Sequence, residues 1–189
     1  MKEKLRKIFL YGIVDILVRN RVNPNFITIF AFLLNFIPFY FYINKQFILG
    51  GLSLLLVSLL DAIDGEVARK SNMTSNFGAL LDSTLDRFSE ALIFLAFIIA
   101  FNNNFTIQLL LILCAFGSFF ISYIRARGEG LSILIKVGPM ERPERIGFIF
   151  IMSFFVDFII YFLIAFTVLI YLTIILRIYH GYRKLTLKL

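Results

Sequence analysis

Residues 59–87 read LLDAIDGEVARKSNMTSNFGALLDSTLDR, and four aspartates, Asp61, Asp64, Asp82 and Asp86, interrupt an otherwise apolar helical pattern. Carboxylates within membrane-type apolar sequence mark a functional site by default. The spacings Asp61 to Asp64 and Asp82 to Asp86 place each pair on one face of its helix, because helical neighbours recur at i+3 and i+4. Two helices can therefore aim four carboxylates at one point. Anions packed together in a low dielectric repel or take up protons unless hard, oxygen-seeking cations such as Mg²⁺ or Mn²⁺ neutralise them. A divalent metal site is the economical reading. Gly65 and Ala68 are small enough for a ligand to come close to the helix, and Arg69 offers a fork of donors to an oxyanion. The rival readings of the aspartates are helix–helix glue and the proton relay of a cation-coupled transporter. Neither requires Gly65, Ala68 or the spacing to Gly78.

Working outward, the chain of 189 residues is 60% hydrophobic, with 24 Phe and a mean hydropathy of +0.88. That is too apolar for a soluble domain of this length. The expected fold is an all-α, polytopic membrane bundle of six transmembrane helices. Apolar runs of about 20 residues, enough to cross a hydrocarbon core, extend over 26–44, 47–68, 77–101 and 105–124. The run from Ile146 to Tyr179 is too long for one crossing and reads as a hairpin of two, turning near Asp157. One domain over 1–189 is expected, with the six-span bundle at 25–183.

Charge placement tests that count. With both termini cytoplasmic, Lys45 is the single exception among the 19 Lys and Arg to a cytoplasmic position. This strong positive-inside bias also puts the aspartates near the cytoplasmic face, where nucleotides are available. The net charge of +7 therefore describes a membrane-facing, anion-binding protein. No nucleic-acid recognition motif accompanies it, so no nucleic-acid partner is expected. Residues 1–22 read as an amphipathic interfacial helix, with Leu5, Ile8, Phe9, Ile13, Ile16 and Leu17 at helical spacing and basic residues available to anionic headgroups. The segment is charged at both ends and lacks a small-residue cleavage site, unlike a secretory signal. Cys114 falls mid-span and reads as packing, and His180 as an interfacial residue.

A second basic cluster points to an anionic ligand. Ser122-Tyr-Ile-Arg125-Ala-Arg127-Gly-Glu129 and Glu141-Arg142-Pro-Glu144-Arg145 are rich in Arg rather than Lys, which favours bidentate recognition of an oxyanion. Topology charge is the alternative. A phosphorylated ligand fits best.

The pattern Asp61-x2-Asp64-Gly65-x2-Ala68-Arg69-x8-Gly78-x3-Asp82-x3-Asp86 resembles the signature of the CDP-alcohol phosphotransferases, integral membrane enzymes that move a phosphate-linked group from a CDP-linked donor onto an alcohol. The basic segments are similar to the S-Y-x-K-A-R-A-E and E-R-P-E-R stretches of the phosphatidylinositol-phosphate and archaetidylinositol-phosphate synthases. Arg125 stands where lysine is usual, and Gly128 where alanine is usual. The resemblance implies that Asp61, Asp64 and Asp82, approached by Asp86, hold two divalent cations, Mg²⁺ or Mn²⁺, with Asp86 also the general base. It implies that Gly65, Ala68, Arg69, Ser75 and Gly78 line the CDP site. Ser122, Arg125, Arg127, Arg142, Arg145 and Arg177 would bind the acceptor phosphate. The implied partners are a CDP-linked lipid, inositol 1-phosphate, membrane lipids and a second copy of the chain in a homodimer. Glycerol 3-phosphate as acceptor, or CDP-inositol as donor, stays open within the same resemblance.

Overall fold

Three helix starts among the described residues are written into the polar residues that precede them. Asn23 accepts a hydrogen bond from the Asn25 amide ahead of Pro24, Ser75 from Gly78 and Asn104 from Ile107. Each side chain thus satisfies an amide that has no partner within its helix. The resulting structure, a computed structural model, describes residue 12 and residues 14–186. Its helices are α1 (Pro24–Leu34), α2 (Phe36–Ile43), α3 (Phe47–Lys70), α4 (Asn76–Ala100), α5 (Phe105–Glu129), α6 (Arg142–Met152) and α7 (Ile159–Thr186), with a 3-10 turn at Val156–Phe158. No strand occurs among the described residues. Most of the expected interfacial helix, including Leu5, Ile8, Phe9 and Ile13, lies outside the described residues. Its last turns do pack inward: Val14 is buried with Ile63 and Val67 of α3, and Asp15 pairs with Lys70 at 2.7 Å.

The first expected crossing is divided at Asn35. Pro38 lacks an amide and its ring crowds the carbonyl of Leu34, so the helix cannot run through unbroken. The buried Asn35 side chain donates to the Ala31 carbonyl at 3.0 Å and stitches the break. Among the described residues, four segments are long and apolar enough to cross a membrane: 24–43, α3, α5 and 156–186. Together they make this a multi-pass membrane protein. Helix α4, with 25 residues, has the length as well, about 37 Å, but it carries the charged residues of the site.

The expected hairpin over 146–179 takes a different form. Helix α6 begins earlier, at Arg142, and has 11 residues, about 16 Å. It nonetheless reaches from the aspartates to the far end of α3: Arg142 meets Asp61, while Ser153 lies against Gly51 and hydrogen-bonds Tyr42 at 2.9 Å. A β-carbon on Gly51 would come within 2.8 Å of Ser153 Cβ, so the close approach needs glycine. Helix α6 therefore fills only the half of the bundle away from the site, and the 130–141 segment and the site occupy the other half. The turn falls at 153–158, around Asp157 as expected.

The most extensive helix pairing is α5 with α7, while α1 and α2 pack on α3 and α4. Between these layers lies one apolar core, in which Tyr42 packs tilted against Phe97 (4.4 Å between centroids) and Phe148 stacks on Phe166 (4.6 Å). Large apolar side chains such as Leu56, Phe105, Phe116 and Tyr161 face outward, as expected where the surroundings are lipid and no hydrophobic penalty attaches to exposure.

Candidate active site

Asp61 and Asp64 lie one helical turn apart on α3, and Asp82 and Asp86 one turn apart on α4. Asp61 lies roughly 13 Å from the Lys70 end of α3, at the standard helical rise. Carboxylate oxygens of Asp61, Asp64 and Asp82 come within 4.8 Å of one another. Asp64 is buried and held on both oxygens: Thr28 donates to one at 2.6 Å and the Gly65 amide to the other at 2.5 Å. Such hydrogen bonds fix a carboxylate's orientation before any cation arrives. Asp86 stands slightly apart. Arg142 Nη1 bridges it to Asp61, at 2.7 Å from each, and Arg87 lies 3.5 Å from its other oxygen.

Two cavities flank this cluster. One, of about 160 Å³, is bounded by Thr28, Asp64, Gly65, Ala68, Arg69, Ser75, Gly78 and Asp82. Every residue expected to line a CDP site is in its wall. At Gly78 a β-carbon would meet Asn25 Oδ1 at 2.9 Å and Ser75 Oγ at 3.1 Å, so both side chains would have to shift. Gly65 is different: a β-carbon there would meet only the Arg69 guanidinium, at 3.5 Å or more. The second cavity, about 720 Å³, is walled by Asp82, Asp86, Ser122, Arg125, Arg142, Arg145 and Arg177 among others. Asp82 borders both.

The expected acceptor arginines are not equivalent. Arg145 is buried and bidentate to Glu90, at 2.5 and 2.7 Å, and also donates to the Met140 carbonyl. Arg177 is buried and donates to the Ile121 and Val137 carbonyls, with Glu141 at 3.8 Å. It pins the 130–141 segment, which also needs Gly138 at φ +101° where it presses on Thr173. Arg125 engages Glu129 through Nε at 3.0 Å, and Arg142 Nε is buried with no hydrogen-bond partner among the described residues. Arg127 is exposed and stands outside the cavity wall. Thr28, Arg87, Glu90 and Glu141 take part in the site although the sequence reading did not select them. For Glu90 the signal was present, one turn beyond Asp86 on the same face.

Comparison with known proteins gives a consistent result. A family model described as CDP-alcohol phosphatidyltransferase matches residues 21–179. The chain is 37% identical over 166 residues to an archaetidylinositol phosphate synthase of Pyrococcus horikoshii, covering 87% of this chain and 86% of the relative. The crystal structure of the Mycobacterium tuberculosis phosphatidylinositol phosphate synthase with CDP-DAG bound superposes with a TM-score of 0.84 at 25% identity, covering 92% of this chain and 93% of that one. The same enzyme in complex with manganese and citrate gives a TM-score of 0.83 at 25% identity, with 92% and 88% coverage.

Proposed function

The chain belongs to the CDP-alcohol phosphatidyltransferase family, and from that premise we propose that it transfers a phosphatidyl or archaetidyl group from a CDP-linked lipid to inositol 1-phosphate, releasing CMP. The observation that carries this reading is the pair of cavities meeting at Asp82, one with small residues and Arg69, the other with arginines and Asp86. A two-substrate transfer needs such a junction, because nucleophile and leaving group must lie on opposite sides of the phosphorus.

The donor set fits a divalent cation. Asp61, Asp64 and Asp82 offer only oxygen ligands, close enough to share an ion, and that chemistry suits Mg²⁺ or Mn²⁺. Bound there, two such cations would neutralise the pyrophosphate and draw electron density from the phosphorus under attack. The protein's own part follows from its geometry. Gly65 leaves room for the nucleotide along α3, and Arg69 supplies donors to its phosphates. Asp86 takes the proton from the acceptor hydroxyl as the new O–P bond forms and the bond to CMP breaks. Arg142 and Arg125 bind the acceptor phosphate, and the unpartnered Nε of Arg142 supports that role.

The site opens to the cytoplasm in this reading, with six crossings and both termini inside. The positive-inside distribution of Lys and Arg supports this orientation. Residues 1–189 then form one domain, with 1–22 lying in the interface as an amphipathic helix. The family resemblance supports a homodimer, which cross-linking in the membrane would report.

The test offers radiolabelled inositol 1-phosphate, glycerol 3-phosphate, inositol and serine in parallel with a CDP-linked lipid. Label entering the lipid phase from inositol 1-phosphate alone is the expected result. Label entering from free inositol or serine would reduce the arginine cluster to topology charge and remove the assignment.

A further inference from the structure

Two ion pairs join α4 to α6 one above the other. Asp86 meets Arg142, and one turn further along both helices Glu90 meets Arg145. The two rungs differ in character. Arg142 is 30% exposed and its bridging nitrogen reaches two carboxylates, whereas Arg145 is 1% and Glu90 7% exposed, locked in a bidentate pair. The remaining arm of Arg145 holds the Met140 carbonyl at 3.0 Å, two residues before Arg142. The backbone that presents Arg142 is thus fixed from both sides: by Arg145 three residues ahead, and by Met140, whose amide is in turn held by Thr173 at 3.2 Å. No capping side chain does this work, since the Glu141 side chain makes no hydrogen bond to the helix start.

We propose that Glu90 is a positioning residue for the transfer reaction, acting through Arg145 to hold Arg142 against Asp61 and Asp86. The inference rests on the transferase reading above. A buried pair of this kind contributes little net stability compared with apolar residues of similar size, whereas removing one partner leaves an uncompensated charge. Its value lies in the geometry it imposes. Glu90 is part of neither cavity wall, so its influence on the reaction has to pass through the residues it holds.

The experiment compares Glu90→Gln, the paired Glu90→Met/Arg145→Met variant, Arg142→Ala and the combination of the paired variant with Arg142→Ala. Each is purified in detergent and assayed for metal-dependent CMP release. The paired variant removes both charges together and is expected to remain folded, with a melting temperature near that of the parent. Its kcat should nevertheless fall roughly tenfold or more, with the CDP-lipid KM unchanged, and this loss should largely vanish in the Arg142→Ala background, as for residues acting in one network. Glu90→Gln, which keeps a hydrogen-bond acceptor, should recover part of the lost rate. A paired variant that is folded and has parental kcat would overturn the proposal. So would an equal fold-loss with and without Arg142, because the two effects would then be independent. A parent protein that releases no CMP under any divalent metal would instead remove the transferase reading, and the positioning role with it.

Discussion

Gly65→Ala separates ligand contact from packing more cleanly than any other single change in this site. Position 65 lies in the interior of α3, where alanine is favoured over glycine by roughly 1 kcal/mol through backbone entropy and helix propensity. The added methyl would meet only Arg69 guanidinium atoms, at 3.5 Å or more, which is ordinary van der Waals contact with a flexible side chain. The folded protein should therefore lose nothing, and the melting temperature should stay or rise by about 2–4 °C for a chain of this size. The donor should fare worse. If the nucleotide lies against α3 at Gly65, a methyl there overpacks the complex by about 1–3 kcal/mol, which corresponds to a rise of roughly 5- to 150-fold in the CDP-lipid KM. The assay is initial-rate CMP release in mixed micelles with donor varied at saturating acceptor, beside a thermal melt of the same preparation. A variant with an unchanged melting temperature and an unchanged donor KM would refute the placement of the nucleotide. Gly78→Ala provides the contrast, because its β-carbon would press on Asn25 and Ser75 and should lower the melting temperature as well.

Asp82→Asn should abolish CMP release while leaving the melting profile intact, since it removes a charged ligand bordering both cavities without changing side-chain volume; near-normal activity would eliminate the metal site. Thr28→Val removes the hydroxyl that holds Asp64 at 2.6 Å and should raise the Mn²⁺ concentration needed for half-maximal activity by about 10- to 100-fold, and an unchanged metal titration would show that Asp64 needs no such support. Arg142→Ala should raise the acceptor KM by the equivalent of about 1.5–3 kcal/mol with the donor KM little changed, and Arg142→Lys should restore only part, because a point charge cannot bridge as a planar fork does. Equal effects on both Michaelis constants would reassign Arg142 to the nucleotide.

The features legible in the sequence were those carried by local spacing. Asp61 with Asp64 and Asp82 with Asp86 could be paired by helical periodicity alone, and the turn near Asp157 followed from the length of an apolar run. The six-residue phosphate cluster was less legible, because proximity in sequence does not decide where a guanidinium ends up. Arg125 and Arg127 are two apart and so point to different helix faces, which is why Arg125 lines the cavity and Arg127 does not. Arg145 and Arg177 find partners 55 and 56 residues away, at Glu90 and the Ile121 carbonyl. Thr28 reaches Asp64 across 36 residues. Nothing in a 3.6-residue period records such pairings, which come from the packing of α1 on α3, α4 on α6 and α5 on α7. The shortness of α6 was hidden for a related reason: hydrophobicity marks what lipid or core will accept, and the site occupies the half of the bundle that a full crossing would have filled.

The central claim is that a metal-bearing carboxylate cluster joins two substrates at Asp82, and it is tested most directly by measuring CMP release and lipid product together in reconstituted vesicles. Donor, inositol 1-phosphate and divalent cation would be supplied in every combination. CMP should appear only when all three are present, in one-to-one proportion with a lipid carrying the acceptor's phosphate, and EDTA should stop both. CMP release without an acceptor, product formation without a divalent cation, or cation movement across the vesicle with no CMP at all would contradict it.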